Sequence, residues 1–432
     1  MTNGQKRLKI EYLEIFECQL KELRRVENIL RAKFHLLLGV ALIVCQLGIT
    51  MQAVAAPWPG SGTAETPYEL YDANDIQAIG ADPNFWDAHF RLCSDVNMGA
   101  YTGTAYNIIG NNMIAFTGVF DGNGHSINGF TYYQTGSEND IGIFGFVDDA
   151  CAVIKDIMLI APGVNAGYGN NVGALIGTMK SGLVLNCGVK GGFVSGDHSV
   201  GGLIGRATST EIYNCRSSAA VTGTGFFTGG LASSAAACQV FNSYSLGTVN
   251  ANEYVGGLLG LASSGTLTSN CYSAASVSAN EFVGALVGRH WDTITSYNKC
   301  FWDSTINPSL DGIGNRTDPE VVGLPTAGMK QMDTFTDAGW DFVGESTNGS
   351  EDIWSICEVT NYPRFVWEIP RIDFVCPDGV SMPDYSAFAS AWLSEPNDPG
   401  WNPACDISEP SDGVIDELDL VIFLPRWLTD LE

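Results

Sequence analysis

Carboxylates are scarce where the chain is most regular. Between Val172 and Asp303 they are Asp197, Glu211, Glu253, Glu281, Asp292 and Asp303, six in 132 residues. Cutting a polysaccharide takes two carboxylates converging on one face, or a carboxylate and a cation with a basic residue to receive a proton. Glu253 and Glu281 stand 28 residues apart, and Asp197 lies close to the same register. These three are the catalytic candidates. Like charges one repeat apart either hold a cation or simply face water. Arg206 and Arg289 follow the glycine of equivalent segments, and with Lys180 and His290 they are the basic candidates on the same corner. No nucleophile stands at a diagnostic spacing from a base, so this stretch argues against catalysis more than for it.

The repeat must position these residues. Val172-Gly-Ala-Leu-Ile-Gly177, Val200-Gly-Gly-Leu-Ile-Gly205, Thr228-Gly-Gly-Leu, Val255-Gly-Gly-Leu-Leu-Gly260 and Val283-Gly-Ala-Leu-Val-Gly288 recur at near-constant spacing. Asn186, Asn214, Asn242, Asn270 and Asn298 close the units at a strict interval of 28. A period of this length means a solenoid. Three short apolar runs per unit predict three strands per coil. Stacked coils lie about 4.8 Å apart, so Asn186 to Asn298 should form a corner ladder. Cys187, Cys215 and Cys271 should stack beside it, unbridged, with Ser243 interrupting them. No second ligand type joins the cysteines to make a metal site.

These units resemble the GLUG-motif repeat of bacterial secreted and surface proteins. With its flanks the resemblance covers roughly residues 62 to 370, and it implies fold and location far more than chemistry. The expected fold is all-β, a right-handed parallel β-helix with end caps. Phe116-Thr-Gly-Val-Phe120-Asp-Gly-Asn-Gly124-His-Ser-Ile127 resembles the segment that precedes such units. Its Asp121-Gly-Asn-Gly reads as an Asx turn rather than a calcium loop, and His125 as a structural donor. Ile141-Gly-Ile-Phe-Gly145 is a degenerate repeat, with an insert near Pro162 to Asn170 that is the first place to seek ligand specificity.

Residues 1–55 read as an N-terminal extension and secretory signal peptide: a basic front, an apolar run from Phe34 to Ile49 and the small-residue site Ala53-Val54-Ala55. The whole chain carries −27, and the mature chain about −30, which repels nucleic acid and anionic lipid. The expectation is a secreted or cell-surface protein that is off the membrane after cleavage. Residues 56–95 read as lead and cap, with a short helix starting near Asp72 or Asn74 and Trp86 packed over the first coil. The β-helix follows over 96–303. Residues 304–370, rich in Trp and Phe, read as a loop and an aromatic cap over the last coil; exposed tryptophans stacking on sugar rings are the alternative.

A second repeat closes the chain over 371–432. Asp384-x-x-x-Phe388-x-x-x-Trp392-Leu393 matches Asp419-x-x-x-Phe423-x-x-x-Trp427-Leu428, each unit a loop followed by a short helix. The pair resembles a dockerin, a small two-helix EF-hand-type module. The resemblance implies calcium in the second loop, with Asp412, Asp416 and Asp419 at the fifth, ninth and twelfth positions. Asp406 lies two residues early and joins only if the loop bulges. It also implies a cohesin-like or cell-surface docking partner. The first loop lacks the oxygens. A disulfide between Cys376 and Cys405 would do the work of a missing ion, and Pro425 would kink the second helix.

Together these features favour an exported non-catalytic protein whose rod contacts glycans or another surface, anchored through its tail. A polysaccharide lyase or glycoside hydrolase, or an accessory subunit of such a system, is the alternative, because dockerin-like modules travel with such enzymes. A purely structural surface component is the third.

Overall fold

The computed structural model describes residues 56–376, 380–408 and 411–427. The signal-peptide expectation and the Leu428 position lie outside them. The chain winds into a parallel β-solenoid of about eight turns. In the coil beginning at Val200 the extended pieces are Val200–Gly201, Ile204–Thr208, Thr210–Tyr213, Arg216–Ser217 and Ala220–Gly223. Three were expected. The two additional pieces are dipeptides, too short to carry an apolar run of their own.

Each piece pairs in parallel with its copy one coil away, as in Ile204↔Ile176, Ile212↔Val184 and Val221↔Val194. The glycine signature follows from this packing. A Cβ on Gly201, Gly229, Gly256 or Gly284 would lie 1.9 to 2.0 Å from the carbonyl oxygen three residues on. The backbone folds back on itself there, and only glycine leaves room.

The corner asparagines Asn186, Asn214, Asn242 and Asn270 adopt φ between 44° and 52°, a left-handed conformation that asparagine tolerates better than most residues. Asn214 Nδ2 donates to Asn186 Oδ1 at 3.1 Å, and Asn242 Nδ2 to Asn214 Oδ1 at 3.2 Å. Asn298 is not in this ladder. Its partner is Ser269, one coil plus one residue away, and Lys299 takes the left-handed position at φ 51°. An extra residue in the last coil slips the register under an unbroken sequence period.

Inside that corner the thiols stack as expected: Cys187, Cys215 and Cys271 are buried and free. Cys187 Sγ donates to Leu185 O, Cys215 Sγ to Tyr213 O and Cys271 Sγ to Ser269 O, each at 3.2 Å. Ser243 makes the same bond to Phe241 O at 2.8 Å, so it continues the column rather than breaking it. Cys300 extends it by one more coil. Burial holds the Cys187 and Cys271 thiols well above the ordinary thiol range.

At the front, α1 (Ala73–Ala81) starts with a capping box between Asp72 and Asp75. Trp86 Nε1 donates to Ile79 O at 2.7 Å, fixing the buried indole under the helix. The strand Tyr68–Leu70 already pairs in parallel with His89–Leu92, so the solenoid sheet begins inside the segment read as a cap.

The aromatic tail departs from expectation in position. Phe335 of α2 (Met332–Thr336), Trp340, Phe342, Trp354 and Phe365 form a second core with Tyr244, Tyr272 and Phe301. Those last three belong to successive coils of one outward column. The tail therefore lies along the flank of the solenoid instead of covering only its final coil. Its tryptophans Trp340 and Trp354 are fully buried, which removes them as sugar platforms. Arg216 Nε meets Glu368 Oε2 at 2.5 Å, and Tyr244 Oη donates to the same carboxylate at 2.7 Å.

Candidate functional site

The outward corner beside the V-G-G-L segments carries the sequence candidates. Glu253 and Glu281 are register partners in adjacent coils. One coil below Glu253 the partner is Phe226, whose backbone N–H donates to His198 Nδ1 at 2.9 Å. Asp197 is therefore one position out of the column. Its Oδ1 accepts from Thr224 Oγ1 at 2.6 Å, a neighbour in the loop and not a catalytic partner. A single shortened spacing, 27 residues from Phe226 to Glu253, accounts for the slip. Glu281 is exposed and Glu253 half-buried, so both stand on an open strand surface.

The basic candidates separate. Arg206 and Arg289 do share a column, through Ser234 and Leu261, but those two coils lie between them. Lys180 sits over the Phe146 ring at 4.8 Å. His290 points inward instead: it is 6% exposed, and its Nδ1 lies 3.2 Å from Tyr297 Oη. Strand alternation puts neighbours on opposite faces, so Arg289 and His290 cannot share one.

A group that sequence reasoning missed surrounds Arg289. Phe227, Tyr254 and Phe282 directly follow Phe226, Glu253 and Glu281, and their rings stack at 5.1 Å from coil to coil. The Arg289 guanidinium lies 4.9 Å from the Tyr254 ring, 4.7 Å from Phe282 and 4.3 Å from Trp291. The signal was an aromatic residue just before each of the last three Val/Thr-Gly-Gly/Ala segments, at intervals of 27 and 28. It was overlooked because strand-to-corner positions read as core.

The insert expected near Pro162 to Asn170 is real and small. Asn165 pairs with Ser195, 30 residues on, whereas Asn170 Oδ1 accepts from His198 N, 28 residues on. Two extra residues thus bulge between them, next to a shallow open cleft of about 590 Å³ lined by Tyr133, Gln134, Glu138 and Asn165. At the earlier turn, Asn123 N donates to Asp121 Oδ1 at 2.8 Å, and Lys155 Nζ pairs with Asp121 at 3.0 Å. His125 lies 3.6 Å from Asp95.

At the tail, α3 (Met382–Ala391) and α4 (Glu417–Trp427) enclose a separate small core. Phe388 and Phe423 stack at 4.9 Å. Each helix begins with a fully buried aspartate that gathers its own loop. Asp384 accepts from the backbone N–H groups of Phe374, Val375 and Ser381. Asp419 accepts from those of Ile407, Ser408 and Asp416. The first loop is two residues shorter, and Asp384 is the equivalent of Asp419, as the repeat implied. Part of each loop, Pro377 to Gly379 and Glu409 to Pro410, lies outside the described residues.

Asp406, Asp412, Asp416 and Asp419 are hard oxygen donors of the kind calcium prefers, but they do not converge. Asp406 accepts from Ser408 Oγ and Gly413 N, Asp412 from Val414 N and Asp416 from Leu418 N. Among the described residues no three His, Cys, Asp or Glu side chains are placed to hold a metal. The donor chemistry fits a calcium ion, whereas the placement serves backbone N–H groups. The disulfide is also different from the one expected: Cys376 bonds Cys357 across 19 residues, and Cys405 is free and buried. Cys405 lies inside the two-helix core, where it packs as a small apolar side chain, while Cys376 leads back toward the flank tail.

The architecture defines the chain as a parallel β-solenoid carrying a GLUG repeat, with residues 196–222 matching the family model described as "The GLUG motif". Two relatives match about a third of the chain. Halomucin of Haloquadratum walsbyi is 32% identical over 140 residues, covering 30% of this chain and 2% of that protein. A "Putative Gly-rich membrane protein" of Evansella cellulosilytica is 31% identical over 137 residues, covering 30% of this chain and 15% of that protein. The chain thus spans only a small part of these relatives. Among solved structures, one described as a "putative immunoglobulin A1 protease from Bacteroides ovatus" superposes with a TM-score of 0.53 at 17% identity, over 71% of this chain and 94% of that one. At that identity the likeness is one of fold. No helix among the described residues is long and apolar enough to cross a membrane.

Proposed function

We propose that the chain is an exported, non-catalytic contact protein of the cell surface, a right-handed β-helix whose outer corner meets glycans or another extracellular surface. The observation that carries this reading is the outward double column over three coils, Phe226, Glu253 and Glu281 beside Phe227, Tyr254 and Phe282. It offers a regular comb of side chains at coil spacing. The names of the two relatives fit an extracellular setting. The C-terminal helix pair is the anchoring unit in this reading. Its two-fold repetition supports a dockerin-like role with a cohesin-like or surface partner, and the oxygen-rich second loop would hold calcium only after Asp406 and Asp419 turn from the N–H groups they now accept.

The experiment is to secrete the full chain, identify its new N-terminus by mass spectrometry, and mix it with insoluble cell-wall material while assaying reducing ends. Processing near Ala55 and sedimentation with the wall, without release of reducing ends, is the expected result. Retention of residues 1–55 by the secreted chain, or no sedimentation, would sink the reading. A second reading, polysaccharide cleavage, rests on the in-register Glu253 and Glu281 pair. Release of reducing ends that is abolished in Glu281→Gln would establish it instead.

A further inference from the structure

The left-handed corner before each V-G-G-L segment is built in six successive coils by Asp140, Asn171, Ser199, Phe227, Tyr254 and Phe282, with φ between 50° and 61°. The lower three are small polar residues, which tolerate this conformation. The upper three are aromatic, for which it is an outlier costing on the order of 1–3 kcal/mol each. The fold therefore makes the corner without aromatics in half of these coils, and bears the strain of aromatics in the other half.

Arg289 adds an independent observation. Its guanidinium is framed by the rings of Tyr254, Phe282 and Trp291, and its buried Nε makes no hydrogen bond among the described residues. Among the described residues no carboxylate pairs with it, in a chain with 48 acidic residues against 21 Lys and Arg. Trp291, just past the strand Val287–His290, is 57% exposed and packs on the outward side against Arg289. Glu253 and Glu281 border the rings.

We infer that this patch is a binding site for a neutral polysaccharide, with Trp291 and the Phe227, Tyr254 and Phe282 column taking the apolar faces and edges of pyranose rings. Arg289 donates to sugar oxygens, and Glu253 and Glu281 accept from sugar hydroxyls. Aromatic surface, a free fork of donors and two carboxylate acceptors together match a polyhydroxylated, uncharged ligand. The two carboxylates and the strongly acidic chain repel an anionic glycan. The inference deepens the contact function proposed above and rests on it.

The test is affinity electrophoresis of the full chain in native gels. The neutral gels contain mixed-linkage β-glucan, xyloglucan, glucomannan or arabinoxylan; the acidic ones contain polygalacturonate or alginate. Retardation on at least one neutral gel is expected, with affinity falling about three- to tenfold in Trp291→Ala and in Arg289→Gln, the worth of one ring or cation contact. Tyr254→Gly separates binding from folding, because glycine relieves the left-handed strain. It should bind more weakly with an unchanged or raised Tm. The inference is overturned by no retardation on any neutral gel, by undiminished retardation in the variants, by retardation on acidic gels alone, or by a fall in Tm of Tyr254→Gly. If the variant combining Trp291→Ala, Arg289→Gln and Tyr254→Gly still sediments with cell-wall material, this site falls while the contact function stands.

Discussion

A carboxylate surrounded by backbone N–H groups organises more chain than its size suggests. Asp419 holds Ile407, Ser408 and Asp416 at once, and Asp384 does the same one unit earlier. Removing either leaves three N–H groups without their acceptor, at about 1–3 kcal/mol for each that stays buried. Asp419→Ala should therefore cost about 3 kcal/mol or more in urea unfolding of the tail followed by hydrogen exchange. Asp412→Ala, which frees one exposed N–H, should cost under about 1 kcal/mol; equal losses would refute the assignment. The buried free thiols make a second prediction at this scale. Burial raises Cys238 to about 11 and holds Cys187 and Cys271 higher than usual, and only the thiolate reacts. Iodoacetamide at pH 8 should leave all three unmodified in the native chain and label them fully in denaturant.

Elements are set by where a side chain cannot fit. Gly229 would place a Cβ 2.0 Å from Ala232 O, so Gly229→Ala should destabilise by about 1–3 kcal/mol through overpacking, measured by thermal melting. Asn214→Gly, at φ 52°, suits the left-handed corner and loses mainly the side-chain bonds to Asn186 and Asn242. It should cost less than Gly229→Ala, and the reverse order would mean the asparagine ladder, not the glycine turn, sets the coil. The V-G-G-L pattern was legible because glycine is demanded at one backbone site in each coil. The register of the last coil was not, because the asparagine interval persists while the chain gains one residue between Leu267 and Ser296 relative to the coil before.

At the scale of the whole molecule, the aromatic tail is fastened along the side of the solenoid. The fastening is a buried charge pair, Arg216 with Glu368, which Tyr244 joins. Breaking one partner strands the other in the interior, at about 3–5 kcal/mol. Glu368→Ala should therefore expose the tail to limited proteolysis while leaving coils 172–290 protected. Loss of protection throughout would show that the tail and coils unfold together.

The repeat alone determined that this chain is a β-solenoid, and it placed the buried cysteines, because a coil's inward positions must recur with the coil. It also marked the two helical units with their paired aspartates. Tertiary structure decided what spacing leaves open. One short interval moves Asp197 out of the Glu253 column, and strand alternation turns His290 inward. Cys376 bonds to Cys357 instead of Cys405 because the tail returns along the flank. The aromatic corner at Phe227, Tyr254 and Phe282 left only a spacing signal in the sequence, since left-handed backbone strain and rings packed around the Arg289 guanidinium are properties of conformation rather than of residue type.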